Sequence, residues 1–97
     1  MSFYLRSHPA VRKDLRRIAP PARDEIIFSI LPKLEENPFL GTNLTGSLRG
    51  YWKYRVFLFG VWYRIGYTID TKRREVVILA VGPRGGFYER LHRRLKK

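Results

Sequence analysis

Apolar side chains recur at every second position between residues 51 and 67, YWKYRVFLFGVWYRIGY. Successive residues of a β-strand point to opposite faces, so this period predicts strands. In the first strand Trp52, Tyr54, Val56 and Leu58 share one face, and Lys53, Arg55 and Phe57 share the other. A short Phe59-Gly60-Val61 turn leads into a second strand, with Tyr63, Ile65, Tyr67 and Ile69 on its apolar side and Trp62, Arg64, Gly66 and Thr68 opposite. When the apolar faces match across the hairpin, Lys53, Arg55 and Arg64 fall together on the second face. Like charges side by side on a sheet repel, so the arrangement costs stability unless a polyanion sits there.

The flanking segments change period. Residues 2 to 6 alternate weakly, Phe3 and Leu5 against Tyr4 and Arg6, and predict a short first strand. Ser7 or His8 can cap a helix whose first turn holds Pro9. Val11, Leu15 and Ile18 form its buried stripe, Arg12, Lys13, Arg16 and Arg17 face outward, and Pro20-Pro21 ends it. A second helix starts near Pro21, places Asp24 and Glu25 in its first turn, and runs toward Asn37-Pro38. Ile27, Ile30, Leu31 and Leu34 supply its inner face, and Pro32 predicts a kink, because proline has no N–H for the carbonyl of Phe28.

Residues 37 to 50, NPFLGTNLTGSLRG, read as a loop pinned by Leu44 and Leu48. After a polar turn at 70 to 74, EVVILAV at 75 to 81 is the near-continuous apolar run of an interior strand, stopped by Gly82-Pro83. Phe87, Leu91 and Leu95 then recur every four residues and predict a final helix, with Arg84, Tyr88 and His92 at the same spacing one position along. Together these elements predict an α+β fold: a small, mostly antiparallel β-sheet with an N-terminal αα-hairpin on one face and a short C-terminal helix.

At 97 residues the chain is expected to form a single domain over 1–97, and 44% hydrophobic content argues for a folded chain rather than a basic tail. Twenty Lys and Arg against eight Asp and Glu leave a formal net charge of +12. Such a surplus points to nucleic acid, an anionic membrane or an acidic partner protein. The first residues, MSFYLRSHPAV, contain no apolar leader core, and no apolar run reaches the roughly 20 residues that cross a bilayer. We therefore expect neither secretion nor membrane association. The lack of cysteine excludes thiol catalysis and fits a reducing cytoplasm.

The residues also narrow the chemistry. His8 and His92 are the only histidines, no carboxylates stand at ligand spacing, and GPRGG at 82 to 86 matches no nucleotide fingerprint, so neither metal nor cofactor is expected. No acid occurs between Glu36 and Asp70. What the cationic face offers is suited to RNA: Lys and Arg neutralise phosphate, and an exposed aromatic stacks on an unpaired base. RNA also supplies its own nucleophile, the ribose 2′-OH, so cleavage needs only a base and cations to stabilise the developing charge. A lysine crowded by arginines has its charged form disfavoured, which makes Lys53 the candidate base. The plainer structural reading is that an alternating hairpin simply solvates its polar face, that Trp52, Tyr54, Tyr63 and Tyr67 are core, and that His92 is a surface residue.

The order of these parts resembles the RelE/ParE superfamily of bacterial and archaeal toxins from toxin–antitoxin systems. The matching stretches are VRKDLRRI, LTGSLRGYWKYRV, WYRIGYTID, EVVILAVGPR and FYERL, in that order over most of the chain. The resemblance implies a RelE-like fold, akin to that of small microbial ribonucleases. Within the superfamily the chain looks like the RelE branch, mRNA interferases that cut messenger in the ribosomal A site. The ParE branch shares the fold, poisons DNA gyrase and generally lacks the basic set.

In the RelE branch, the resemblance implies that Lys53 is the general base toward the 2′-OH and that Arg55 and Arg64 hold the scissile phosphate. Arg84 would stabilise or protonate the leaving 5′-oxygen, and Tyr88 would orient or stack the nucleotide. Arg55 is a departure, since the best-known members carry lysine there. The implied partners are a cognate antitoxin with an acidic binding segment, which Phe28 or Phe39 could help to anchor, and messenger and ribosomal RNA in the A site. A gyrase-directed toxin of the same fold and a noncatalytic basic RNA-binding module are the competing readings.

Overall fold

The computed structural model describes residues 3–83 and 85–95. The strands are β1 (Tyr4–Ser7), β2 (Thr42–Asn43), β3 (Tyr51–Leu58), β4 (Val61–Asp70) and β5 (Glu75–Pro83), joined in one sheet of order β1-β5-β4-β3-β2. β1 runs parallel to β5, and every other neighbour is antiparallel. The expected hairpin is β3 and β4, with Trp52 opposite Tyr67, Tyr54 opposite Ile65 and Arg55 opposite Arg64. Its turn is tighter than expected. Phe59 and Gly60 alone make it, with φ of 50° and 82°, the two left-handed positions of a two-residue hairpin loop, and Val61 already belongs to β4.

Helices α1 (Val11–Arg16), α2 (Pro20–Glu25) and α3 (Leu31–Glu36) cover one face of the sheet. Val11, Ile18, Ala22, Ile26, Ile30 and Leu34 pack there against Tyr63, Ile65, Tyr67, Val76, Ile78 and Val81. α1 stops at Arg16, before the prolines, because the residue ahead of Pro20 is driven out of helical geometry: Ala19 has ψ of 139°. Between α2 and α3 the helix widens into a π-helical turn over Ile26–Ile30, in which the N–H of Leu31 donates to the carbonyl of Ile26. The irregularity expected at Pro32 thus lies one turn earlier. It also moves Ile26, rather than Ile27, to the deepest inward position.

The opposite face is covered by α4 (Phe87–Leu95), whose Phe87 and Leu91 pack on Leu79 and Ala80, with Leu44, Leu48, Tyr51 and Val77 around them. Two local features allow this approach. The pairing of β4 with β5 slips between Gly66 and Tyr67, which face Ala80 and Ile78, so Leu79 is a bulged residue and joins Ala80 under α4. Gly66 supplies the clearance: a Cβ there would stand 2.9 Å from Leu91 Cδ1 and 3.0 Å from Phe87 Cζ.

Residues 37 to 50 are more ordered than a plain loop. They form two 3-10 turns and the short edge strand β2, which pairs with β3. The buried Tyr67 hydroxyl donates to the carbonyl of Pro38 at 2.6 Å and holds the segment to the sheet; burial pushes that phenol up to about 12.

One buried charge joins the two layers. Asp14, 4% exposed in α1, accepts from the N–H of Val81 at 3.0 Å and from both terminal nitrogens of Arg94 at 2.7 and 3.0 Å. Arg94 Nη1 also donates to the carbonyl of Leu79, and Arg90 Nε lies 3.9 Å from the carboxylate. Burial alone would raise the pKa of Asp14, but the Arg94 and Val81 hydrogen bonds and the two arginine charges hold it below the usual carboxylate value.

Candidate nucleic-acid interface

Lys53, Arg55 and Arg64 stand on the α4 side of the hairpin, as the register requires: Lys53 faces Gly66, and Arg55 faces Arg64. Their environments differ. Arg55 is exposed, Lys53 is partly buried, and Arg64 is only 8% exposed. The expectation of an open patch of three cations is corrected at Arg64, because α4 lies over the centre of that face. Its Nε and Nη1 are buried without a hydrogen-bond partner among the described residues. Buried guanidinium donors are nearly always satisfied, so this one is ready for an acceptor.

Tyr88, in the first turn of α4, completes the group. Lys53 Nζ donates to its hydroxyl at 2.9 Å and lies 5.6 Å from the centre of its ring. The ring also meets Phe87 edge-on at 5.3 Å. Burial raises the Tyr88 pKa, but hydrogen bonds from Lys53 and Arg64 and the charges of both lower it by more, leaving the phenol below its ordinary value. Two depressions flank the Lys53–Tyr88 pair. One, of about 390 Å³, runs past Lys53 and Arg55 along Leu40, Gly41 and Thr42; the other, of about 440 Å³, lies between Leu48 and the Tyr88, His92 and Arg93 side of α4.

The structure thus brings Lys53, Arg64 and Tyr88 together, with Arg55 beside them. Arg84 lies outside the described residues. Tyr63 and Tyr67 are buried, with Trp52 and Tyr54 half-buried against the same core, as their alternation indicates, and His92 is exposed. The Asp14–Arg94 pair escaped the sequence reading. Its signal was an acid at i+3 from Val11 inside the apolar stripe of α1, but the partner that makes burial tolerable lies 80 residues away. No group of three His, Cys, Asp or Glu side chains that could hold a metal occurs among the described residues, and no helix there is long and apolar enough to cross a membrane.

A five-stranded sheet of this order, with helices on one face and a C-terminal helix on the other, is a fold shared with solved RelE toxins. The chain is similar to a chain of the RelBE2 toxin–antitoxin complex from Mycobacterium tuberculosis, with 28% identity, coverage of 87% of this chain and 93% of that one, and a TM-score of 0.76. It also shares its fold with an Escherichia coli RelE variant in the free state (20% identity, 99% and 97% coverage, TM-score 0.76). The archaeal RelE–RelB complex from Pyrococcus horikoshii shows the same fold (24% identity, 88% and 98% coverage, TM-score 0.62). No curated protein sequence matches significantly. The sequence model for the ParE-like toxin of type II bacterial toxin–antitoxin systems matches residues 5–92. The chain therefore belongs to the ParE-like toxin family and is a type II toxin of the RelE/ParE superfamily.

Proposed function

We propose that this toxin is an mRNA endoribonuclease that cuts ribosome-bound messenger without a metal, by attack of a ribose 2′-oxygen on the adjacent phosphate. The observation that carries this reading is the buried Arg64 guanidinium beside the Lys53–Tyr88 pair, whose Nε and Nη1 have no hydrogen-bond partner among the described residues. A scissile phosphate seated there would satisfy Arg64 and receive charge from Lys53 and Arg55. Lys53 is the general base toward the 2′-OH in this reading, and the Tyr88 hydroxyl, which accepts its hydrogen bond, orients it. The 2′-oxygen then bonds to phosphorus, the bond from phosphorus to the 5′-oxygen breaks, and the 5′-oxygen takes a proton from solvent, so that the products are a 2′,3′-cyclic phosphate and a 5′-OH. Arg64 and Arg55 stabilise the charge that builds on the phosphate oxygens. Arg84 is assigned to the leaving 5′-oxygen by the resemblance alone.

The same toxin would be neutralised by a cognate antitoxin with an acidic segment, complementary to the +12 charge. A second reading, inhibition of DNA gyrase, draws on the ParE-like family match. Brief expression followed by mapping of messenger 5′ ends separates the two. Cuts within translated regions are expected, weakened about 10²-fold or more in Lys53→Ala and Arg64→Ala and also reduced in Tyr88→Phe. Growth arrest with intact messenger and DNA breaks would overturn the ribonuclease reading.

A further inference from the structure

The tip of the β3–β4 hairpin presents an aromatic surface that the cleavage centre does not use. Phe57 and Trp62 face each other in register on the same side of the sheet as Lys53, Arg55 and Arg64. Their ring centres are 5.1 Å apart, and the Arg55 guanidinium lies 4.8 Å over the indole. Phe57 is 54% and Trp62 48% exposed, and neither joins either packed core cluster. Phe59 in the turn is 70% exposed at a φ of 50°, a left-handed conformation unfavourable for a bulky residue. Asparagine would make that turn at lower backbone cost.

We propose that Phe57 and Trp62, oriented by Arg55, form a stacking subsite for an unpaired base of single-stranded RNA next to the cleavage centre. The inference rests on the reading above in taking RNA as the ligand. Same-face residues of a strand are about 7 Å apart, so Lys53, Arg55 and Phe57 make one row that passes from cation to ring. A strand of RNA along this row meets cations with its phosphates and the rings with a base. An arginine over an indole is the pairing that single-strand binders use.

The test uses a 2′-O-methyl RNA of about eight nucleotides, which binds but lacks the attacking hydroxyl. Trp62 emission should be quenched on binding, and Trp62→Phe should remove the signal while keeping affinity, since Trp52, the other tryptophan, packs against Tyr67. Trp62→Leu and Phe57→Leu should each weaken binding about tenfold, and an abasic strand of equal charge should not distinguish them from the unaltered protein. Unchanged affinity in both leucine variants overturns the proposal, as does loss of antitoxin binding with RNA binding intact, which would make the tip a protein-docking surface. Cleavage of messenger is scored separately: a quenched Trp62 in a protein that cuts nothing keeps the subsite and removes the ribonuclease reading, and cutting without quenching does the reverse.

Discussion

Two charged groups meet α4 and are built in opposite ways. At its C-terminal end Arg94 and Arg90 close on Asp14, whose two oxygens are satisfied by the guanidinium and by the N–H of Val81. At its N-terminal end Tyr88 reaches a hairpin whose strands carry Lys53, Arg55 and Arg64 and no acid before Asp70. None of these three cations makes an ion pair among the described residues. Asp14 gives the first group an internal complement, although Arg90 Nε makes no hydrogen bond, and no carboxylate pairs with the second group among the described residues. The first holds the helix, and the helix holds Tyr88 over the second.

The sharpest break of this comparison is Asp14→Ala. It strands Arg94 and Arg90 in a partly buried site and should lower unfolding free energy by about 3–5 kcal/mol in chemical denaturation. Arg64→Ala, by contrast, removes an unsatisfied buried cation and should leave stability within about 1 kcal/mol of the starting protein, or raise it. Equal losses in the two variants would abolish the distinction.

A smaller effect should appear with acid. The folded-state pKa of Asp14 lies below its unfolded value, so its contribution is present above about pH 4, the ordinary carboxylate value, and is lost as pH falls through the folded pKa. Thermal melts between neutral and acidic pH should show that limb, and Asp14→Asn should flatten it. An unaltered limb in that variant would place the acid sensitivity elsewhere.

Salt gives the mildest contrast. RNA binding through about four phosphates should weaken with a log–log slope of roughly −3, whereas the Asp14 cluster is screened far less and unfolding should respond weakly. A flat slope for RNA would count against the cationic face as its seat.

The hairpin was the most legible part of the molecule. Alternation put Trp52 on the face of Tyr67 and Arg55 on the face of Arg64, because a strand has only two sides, and the structure added the register that sets Arg55 opposite Arg64. The first strand and the stripe of α4 were legible for similar reasons. Local patterning failed where a distant element intervened. The edge strand β2 has only two residues and no period of its own; it exists because β3 offers it a partner. The bulge at Leu79 lay inside a run apolar on both faces, where a slip of one residue leaves no mark in the pattern.

The candidate site divides along the same line. Sequence by itself determined which side chains share the hairpin's second face and that the chain carries a large positive excess, since both follow from strand period and composition. Only the tertiary structure decided that α4 crosses that face, that Gly66 lets it approach, that Tyr88 meets Lys53 and that Arg64 ends buried with two donors unmet among the described residues. Those facts depend on contacts between residues 35 positions apart and on a clasp 80 positions long. Burial and pairing of charge are properties of the packed whole, and a linear period contains neither.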